Sequence, residues 1–541
     1  MNIKFDTSKV IDMELMFSGC SYLINIDING INTSQVTNMY GIFQGCLSLT
    51  SLNLISFVTK NVRDMGNMFN NCKKLTYLNI GNFDTSNVVD MYKMFENCIA
   101  LTSLELSHFK TNKVNDLSYM FSDCNTLTSI NLHSFDTSNV ENMAFMFQNC
   151  HKITEISLSN FDTKKVVDFS YMFYYIHKLK SLDLSNFNTN EARYMSHMFM
   201  GCFSLEYLNI DNFNGTELED ISYIFTHLKV LTILDLSKLY TPKLKYMESA
   251  FYDLVKLKTI KIQNMSTNLV NKMNSLFAKC EQLTSLDLSN FDTSSVIDMK
   301  EMFSEMKNLK KITLSKQFIT NKVISMDKMF YCNYLLKEID LSSFKTDNLE
   351  NMSNMFYNCR SLTSLYLSNF DTSKVTHMGG LFESCSALKQ LDLTKFETKN
   401  LKFLGSMFQN CISLTYIDIS NFNLSQVEGL TNVFYNCSSL TSLDLPRIET
   451  GTIKTMMSTF SYCTSLTSLD LSGFNTTSVT SMNNMFSYSG LKYLDLSSFD
   501  TRNCKNFGSM FLLCKGLQIK IDKDICSNLV RSLPLYVTII E

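Results

Sequence analysis

Apolar and polar residues follow a pattern along this chain that repeats about every 26 residues. Within residues 83–108, Leu104 and Leu106 alternate with polar residues, as apolar positions do in a short β-strand. Val88 and Met91 lie three residues apart, which is the spacing of one face of a short helix. Each repeat therefore predicts a strand, a corner, a short helix and a second corner.

One phenylalanine marks each repeat, at intervals of 25 to 27 residues. A single repeat cannot bury its apolar side alone, so repeats must stack in register to create a core. The marker phenylalanines are Phe17, Phe43, Phe69, Phe95, Phe121, Phe147, Phe173, Phe199, Phe225, Phe251, Phe277, Phe303, Phe330, Phe356, Phe382, Phe408, Phe434, Phe460, Phe486 and Phe511.

The strand part of the repeat has the form L-x-x-L-x-L, as in Leu101, Leu104 and Leu106, which is typical of leucine-rich repeats. We therefore expect an α/β repeat solenoid of this type, with about 20 turns of short parallel strand plus short helix. The solenoid is predicted to span residues 1–520. Residues 521–541 depart from the repeat and are predicted to form a C-terminal cap over the exposed sheet edge.

Composition agrees with a buried repeat array and excludes several classes of protein. Apolar residues make up 45% of the 541 residues and charged residues 18%, which excludes a disordered chain. The net charge of -3 argues against a strongly basic nucleic-acid-binding protein, so no nucleic-acid partner is expected. No apolar stretch is long enough to predict a transmembrane segment.

Most phenylalanines, methionines and cysteines fall in fixed columns and are predicted to form the core. Met91 and Met94 precede the marker Phe95, and Cys98 follows it by three residues. Because a flexible thioether packs well against stacked rings, this spacing favours a core over a methionine-rich binding surface. Fourteen of the 17 cysteines occupy the Cys98 column. Evenly spaced single cysteines match neither a zinc site nor a disulfide framework.

Candidate catalytic and metal-binding residues are few. The chain contains no G-x-S-x-G, P-loop, Rossmann glycine or H-E-x-x-H motif. His151 and His177 occupy equivalent places in adjacent repeats and are predicted to lie near each other, but a zinc site needs further ligands. We therefore predict no enzyme activity, no catalytic residue, no bound metal and no cofactor.

The central residue of each L-x-L points away from the predicted core, and its last five occurrences along the solenoid are all aspartate. Like charges stacked on one another are destabilising, so this run suggests a cation or a basic partner surface. The alternative is that repeat duplication copied a solvated strand residue, with Lys389 and Lys492 screening the charge. The predicted binding residues are Asp392, Asp418, Asp444, Asp470 and Asp495.

Two further features depart from the simple core pattern. Residues 213–265 break the consensus at Gly215, Leu239 and Pro242, and we predict a bend or a binding site there. A threonine recurs in the corner before the predicted helix and is expected to close a tight turn. Its first members are Thr7, Thr33, Thr59 and Thr85.

The order M-F-x-x-C-x-x-L-x-x-L-x-L around Phe95 resembles the BspA-like leucine-rich repeats. The preceding F-D-T-S-x-V-x-x-M resembles the 25- to 26-residue repeats of mycoplasma-type and other bacterial and protist surface proteins. The resemblance covers about residues 1–520 and implies an adhesin-like protein at the cell surface or secreted. The chain departs from the common pattern at Phe109 and Phe135, which stand where an asparagine ladder is usual.

Three functional hypotheses follow. The leading one is a non-catalytic, adhesin-like protein that presents an extended solenoid surface to a protein or cell-surface ligand, whose identity the sequence leaves open. The alternative is a cytoplasmic leucine-rich-repeat scaffold for protein–protein interaction, because the chain opens inside a repeat, at MNIKFDTSKV, without an apolar signal segment. The third is a passive spacer.

Overall fold

The computed structural model describes residues 6–446 and 450–540. The chain forms two compact units, Met1–Leu269 and Val270–Glu541. Each unit is a parallel β-solenoid, in which a strand pairs in register with the strand one repeat later.

The strands of the first unit are short and alternate exposed and buried residues. In β1 (Ser51–Asn53), Leu52 lies in the core while its two neighbours are exposed. Parallel pairs join β1 to β2, β3 to β4 and β5 to β6. Among the described residues of this unit the remaining strands are β2 (Tyr77–Asn79), β3 (Ser181–Asp183), β4 (Tyr207–Asn209), β5 (Ile233–Asp235) and β6 (Thr259–Lys261).

The second unit repeats this arrangement and ends in a three-stranded sheet. Its described elements are β7 (Ser285–Leu288), β8 (Lys311–Leu314), β9 (Tyr416–Asp418), β10 (Ser442–Asp444), β11 (Tyr493–Asp495), β12 (Gln518–Lys520), α1 (Ser527–Val530) and β13 (Thr538–Ile540). Parallel pairs join β7 to β8, β9 to β10, β11 to β12, and β12 to β13. The assignment of residues 1–520 to the solenoid and 521–541 to a cap stays a prediction.

A second line of parallel pairing follows another wall of each unit. One residue per repeat forms an isolated β-bridge with its counterpart in the adjacent repeat, as Asp90 does with both Asp64 and Asp116. Ten such positions occur in each unit among the described residues. Adjacent repeats are therefore joined through their backbones on more than one wall.

The prediction of one short helix per repeat is wrong. The amides of Lys93, Phe95 and Asn97 donate to carbonyl oxygens one repeat later, at 3.1, 3.0 and 2.8 Å. The φ angles of Lys93 and Asn97 are 57° and 59°. An α-helix requires negative φ and bonds from each amide to the carbonyl four residues earlier. Among the described residues the only α-helix is α1.

The wall that was predicted as helix is a succession of tight turns. The amide of Met94 donates to the carbonyl of Met91 at 3.2 Å, and that of Cys98 donates to Phe95 at 3.1 Å. Turns closed over three residues bring Met91, Met94 and Phe95 to the inner side. The apolar spacing therefore imitates one helical face, although the backbone is not helical.

Stacked phenylalanines fill the core of each unit. In the first unit the marker rings from Phe17 to Phe251 stack with centroids 5.4–6.0 Å apart. In the second unit those from Phe277 to Phe511 are 5.3–6.1 Å apart. Met91 and Met94 are fully buried. The prediction that these columns form the core is confirmed.

A buried threonine in most repeats clamps the corner of the next repeat. Thr137 is 1% exposed. Its hydroxyl donates to the carbonyl oxygen of Asp162 at 2.9 Å and accepts the amide of the same residue at 2.8 Å. Thr85 bonds Lys110 in the same way. One side chain thus satisfies two backbone groups that would otherwise be buried without partners.

The cysteine column consists of free thiols, and of the 17 only Cys20 is exposed. The thiol of Cys98 donates to the carbonyl oxygen of Phe69 at 3.2 Å, and that of Cys124 donates to Phe95 at 3.3 Å. Burial raises the pKa of Cys124 to about 12. Cys98 and Cys124 thus donate their thiol hydrogens to the preceding repeat and join the two repeats.

We predict that Thr137→Val destabilises the first unit by about 2–4 kcal/mol, because it leaves two backbone groups of Asp162 buried and unpaired. Thr137→Ser keeps the hydroxyl and should cost only about 1 kcal/mol for the lost methyl group. Urea unfolding followed by circular dichroism measures both. Equal losses in the two variants would show that the hydroxyl does not clamp the repeats.

Candidate binding face

The five predicted aspartates lie along the outward side of the strand wall in the second unit. Asp418, Asp444 and Asp495 are the last residues of β9, β10 and β11. Asp392 and Asp470 hold the equivalent repeat positions outside the assigned strands. Asp418 is half-buried, and the other four are exposed. We call this set the acidic strand face.

Strand register decides which of these carboxylates are neighbours. The pairing of β9 with β10 places Asp418 directly opposite Asp444. Like charges in this arrangement oppose the pairing of the two strands. At the other end of the face, the pairing of β11 with β12 places Lys520 opposite Asp495. The acidic strand face is thus bounded by a cation at its C-terminal end.

Each aspartate of this face except Asp444 closes the corner that follows it. The Oδ1 atom of Asp418 accepts the amide of Ser420 at 2.9 Å, and that of Asp495 accepts the amide of Ser497 at 2.9 Å. Asp392 and Asp470 make the same contact two residues on, at 3.0 Å. Asparagine and aspartate favour such turns because their short side chains reach the backbone. The column therefore has a structural role.

Asp444 differs because the residue two positions later is Pro446, which has no amide hydrogen. Its Oδ2 atom instead accepts the hydroxyl of Tyr416, in the neighbouring strand, at 2.7 Å. This hydrogen bond is the main cause that raises the pKa of Tyr416 to about 12. A tyrosine and an aspartate therefore form one polar pair on the exposed surface of β9 and β10.

Local hydrogen bonds favour the ionised form of Asp392 and Asp495. The hydroxyl and then the amide of Thr394 lower the pKa of Asp392, and Ser497 lowers the pKa of Asp495 in the same way. In the part of the chain that the structure describes, no ion pair includes Asp392, Asp418, Asp444 or Asp495. Lys389 and Lys492 thus do not neutralise these carboxylates by direct contact.

One aspartate of the same column is compensated by an ion pair in the first unit. Lys261 of β6 lies opposite Asp235 of β5, and their charged atoms are 2.7 Å apart. The hydrogen bond from Lys261 is the largest cause that lowers the pKa of Asp235 to about 2. In the second unit, by contrast, Asp418 lies opposite Asp444, and neither forms an ion pair in the described part of the chain.

A cavity of about 370 Å³ opens beside the acidic strand face. Two of the predicted aspartates contribute to its wall, so a partner side chain that enters it meets carboxylates. The cavity is lined by Ser420, Leu443, Asp444, Leu445, Pro446, Asp470 and Gly473.

The histidine pair is brought together as predicted. The rings of His151 and His177 stack with centroids 4.3 Å apart, and Nδ1 of His151 bonds the carbonyl oxygen of Tyr175 at 2.9 Å. Within residues 6–446 and 450–540, no group of three or more His, Cys, Asp or Glu side chains is placed to hold a metal ion. In the same residues no helix is long and apolar enough to cross a membrane.

The irregular repeats of residues 213–265 contain a local packing difference. Leu239 takes the place of a core phenylalanine and borders a cavity of about 190 Å³. Gly215 replaces the clamp threonine, and a Cβ atom there would approach the carbonyl oxygen of Tyr240 to 2.9 Å. The bend or binding site expected in these repeats stays a prediction.

The local role of the aspartates was missed in the sequence, although a signal is present. Serine or threonine follows two residues after Asp392, Asp418, Asp470 and Asp495. The same spacing occurs at the corner that contains the clamping threonine Thr85. There the Oδ1 atom of Asp84 accepts the amide of Ser86 at 3.0 Å. D-x-S is thus a corner motif of this repeat.

A family model described as "Mycoplasma protein of unknown function, DUF285" matches the chain in overlapping windows that extend from residue 2 to residue 532. The chain belongs to this family. The predicted resemblance to BspA-like repeats of the mycoplasma type is confirmed. The matched windows of the DUF285 chain are 2–78, 48–157, 72–181, 149–259, 219–338, 245–364, 325–444 and 430–532.

Solved structures similar to this DUF285 chain include a leucine-rich repeat protein from Bacteroides ovatus, 17% identical, with 77% of this chain and 88% of that chain covered and a TM-score of 0.39. A leucine rich cell surface protein from Faecalibacterium prausnitzii is 14% identical, with 63% and 83% covered and a TM-score of 0.32. No curated protein matches the chain.

We predict that Asp418→Ala destabilises the second unit by about 1 kcal/mol, because the amide of Ser420 loses its acceptor. Asp418→Asn keeps an acceptor oxygen and removes the repulsion with Asp444, so its stability should equal or exceed that of the unchanged protein. Thermal melts of the two variants measure the difference. If Asp418→Asn is as destabilising as Asp418→Ala, the corner contact is not what stabilises this position.

Proposed function

We propose that this DUF285 chain is a non-catalytic, adhesin-like binding protein whose acidic strand face docks a basic protein surface on a cell or on a secreted partner. The observation that carries the proposal is that four aspartates of this face form no ion pair in the described part of the second unit, namely Asp392, Asp418, Asp444 and Asp495. Hydrogen bonds also lower the pKa of Asp392 and Asp495. The resemblance to BspA-like surface proteins supports a location at the cell surface or in the secreted fraction.

The fold supports binding over catalysis. Phenylalanine, methionine, cysteine and threonine columns are buried and hold adjacent repeats together. What remains for recognition is the outward side of the walls, where repeats can differ without loss of the core. Leucine-rich-repeat solenoids are typical of protein–protein interaction, and they use such extended surfaces.

Electrostatics indicate the chemistry of the partner. Paired strands lie about 4.8 Å apart, so Asp418 and Asp444 hold two negative charges at close range. A lysine or arginine placed between them would relieve this repulsion, and such contacts are screened by salt. The exposed Tyr416 beside Asp444 adds a ring that favours an arginine-containing partner. A basic protein surface fits these features better than nucleic acid, whose phosphates would be repelled.

The test compares three variants in binding a fluorescein-labelled lysine- and arginine-rich peptide, with fluorescence anisotropy as the measurement. Asp418→Lys with Asp444→Lys should weaken binding by more than about tenfold, and Asp418→Asn with Asp444→Asn should weaken it less. Binding to the unchanged protein should fall steeply between about 50 and about 300 mM salt.

Asp183→Lys is the matched control, since Asp183 ends β3 in the first unit and also accepts the amide two residues on, at 2.9 Å. This control should bind like the unchanged protein. The proposal fails if the double charge reversal leaves the affinity unchanged, or if the control loses as much. Tighter binding of labelled oligonucleotide than of the basic peptide would likewise reject it.

A further inference from the structure

A row of aromatic rings runs along the tight-turn wall of the first unit, outside the core. Adjacent centroids are 4.2, 4.5, 4.3 and 4.7 Å apart, and the planes are within 17° of parallel. Each ring is half-buried. The row consists of Tyr119, Phe145, Tyr171, His197 and Tyr223.

These rings stand at a backbone position where bulky residues are unfavourable. Their φ angles lie between 58° and 62°, a region that costs free energy for any side chain other than glycine. In other repeats the same position holds small or polar residues, such as Ser249, Ser275 and Asn354, with similar φ angles. The backbone therefore does not require aromatic rings here.

A second row lies beside the first and is connected to it. The His177 ring stacks on His151 at 4.3 Å and approaches Phe203 at 5.0 Å. Tyr174 and Tyr175 bridge the two rows, with Tyr174 5.1 Å from Tyr171 and Tyr175 5.6 Å from His177. All five of these second-row and bridging residues are partly exposed. We call the two rows with their bridge the ring patch.

The charge beside the second row of the ring patch is positive, whereas at the far end of the first row the hydroxyl of Tyr223 donates to Glu248 at 3.1 Å. The wall segments 145–152, 171–178 and 197–204 contain no aspartate or glutamate. Lys152 and Lys178 are exposed, and no ion pair involves either of them among the residues that the structure describes. By contrast, lysines on this wall in flanking repeats are paired, Lys93 with Glu96 at 3.4 Å and Lys229 with Asp253.

The orientation of the rings distinguishes between anionic partners. Phe145, Tyr171 and His197 each have a neighbouring ring stacked on both faces. Nucleobases bind by stacking on open ring faces, and these faces are occupied. What the row offers to solvent is ring edges, which carry partial positive charge and suit carboxylate oxygens or the faces of a partner's aromatic rings.

We propose that the ring patch docks an acidic segment of a partner protein that carries aromatic side chains between its carboxylates. Ring edges contact the partner's rings edge to face, and Lys152 and Lys178 pair with its carboxylates. Burial lowers the pKa of His197 to about 4, so this ring is uncharged near neutral pH and the two lysines carry the charge. This surface is separate in sequence from the acidic strand face, and its two exposed lysines carry the opposite charge.

The test uses fluorescence anisotropy with a labelled short peptide of alternating glutamate and tyrosine. Lys152→Glu with Lys178→Glu should weaken its binding by about tenfold or more. Lys73→Glu with Lys74→Glu is the matched control, because both lysines are exposed in an earlier repeat that lacks the rings, where Lys74 is equivalent to Lys152 and Lys73 to His151. The control should stay within about twofold of the unchanged protein.

A second pair of variants tests the rings themselves. Tyr171→Ser removes the centre of the first row but installs a residue that this position accepts in other repeats, and it should also weaken binding by about tenfold. Tyr462→Ser is its control, since Tyr462 stacks on Tyr488 at 4.4 Å in the second unit. Thermal melts report whether either variant is unfolded. If one is, the variant with Lys152→Glu and Lys178→Glu alone tests the proposal.

Three results would overturn the proposal. The first is no detectable binding of the acidic aromatic peptide to the unchanged protein. The second is an equal loss of affinity in the Lys73 and Lys74 control. The third is tighter binding of labelled oligo(dT) that the Lys152 and Lys178 variant abolishes, which would make the ring patch a nucleic-acid site.

Discussion

The bond between one repeat and the next is the constraint on which the rest of this structure depends. A single repeat has no core of its own, so its backbone groups and its apolar side chains must find partners in adjacent repeats. The amides of Lys93, Phe95 and Asn97 point to the next repeat, and Thr85 bonds both backbone groups of Lys110. The phenylalanine stack then follows from the same register, because Phe95 lies beside Phe69 and Phe121.

This constraint separates residues that hold the fold from residues that are available for recognition. Cys98 is buried and donates a hydrogen bond to the preceding repeat, so its column belongs to the core and not to a binding surface. The aspartates of the acidic strand face belong to both groups, because Asp418 closes a corner with one oxygen and is only half-buried. A structural role and a binding role are compatible at such a position. The ring patch is different, since the backbone at Tyr171 tolerates serine elsewhere and does not explain a tyrosine.

Much of the fold could be predicted from the sequence, because buried columns repeat with a fixed period. The burial of Phe95, Met91 and Cys98 follows from their spacing alone. The predicted helix was wrong, because apolar residues three and four positions apart occur both on a helical face and in successive tight turns. The positive φ angles of Lys93 and Asn97 distinguish the tight turns from a helix. A positive φ angle can be predicted from the sequence at a glycine, but not at a lysine or an asparagine. The acidic column was found for its charge, while its contact with Ser420 was missed because a strand residue was expected to be solvated.

Far-UV circular dichroism of the whole chain tests most directly whether adjacent repeats are joined through walls of tight turns. If the amides of each wall bond an adjacent repeat, the spectrum should have the single minimum of a β-rich protein and little of the double minimum of an α-helix. The described residues contain one four-residue helix, which contributes almost nothing. A strong helical double minimum would contradict the account, because it would require the wall amides to bond within their own repeat.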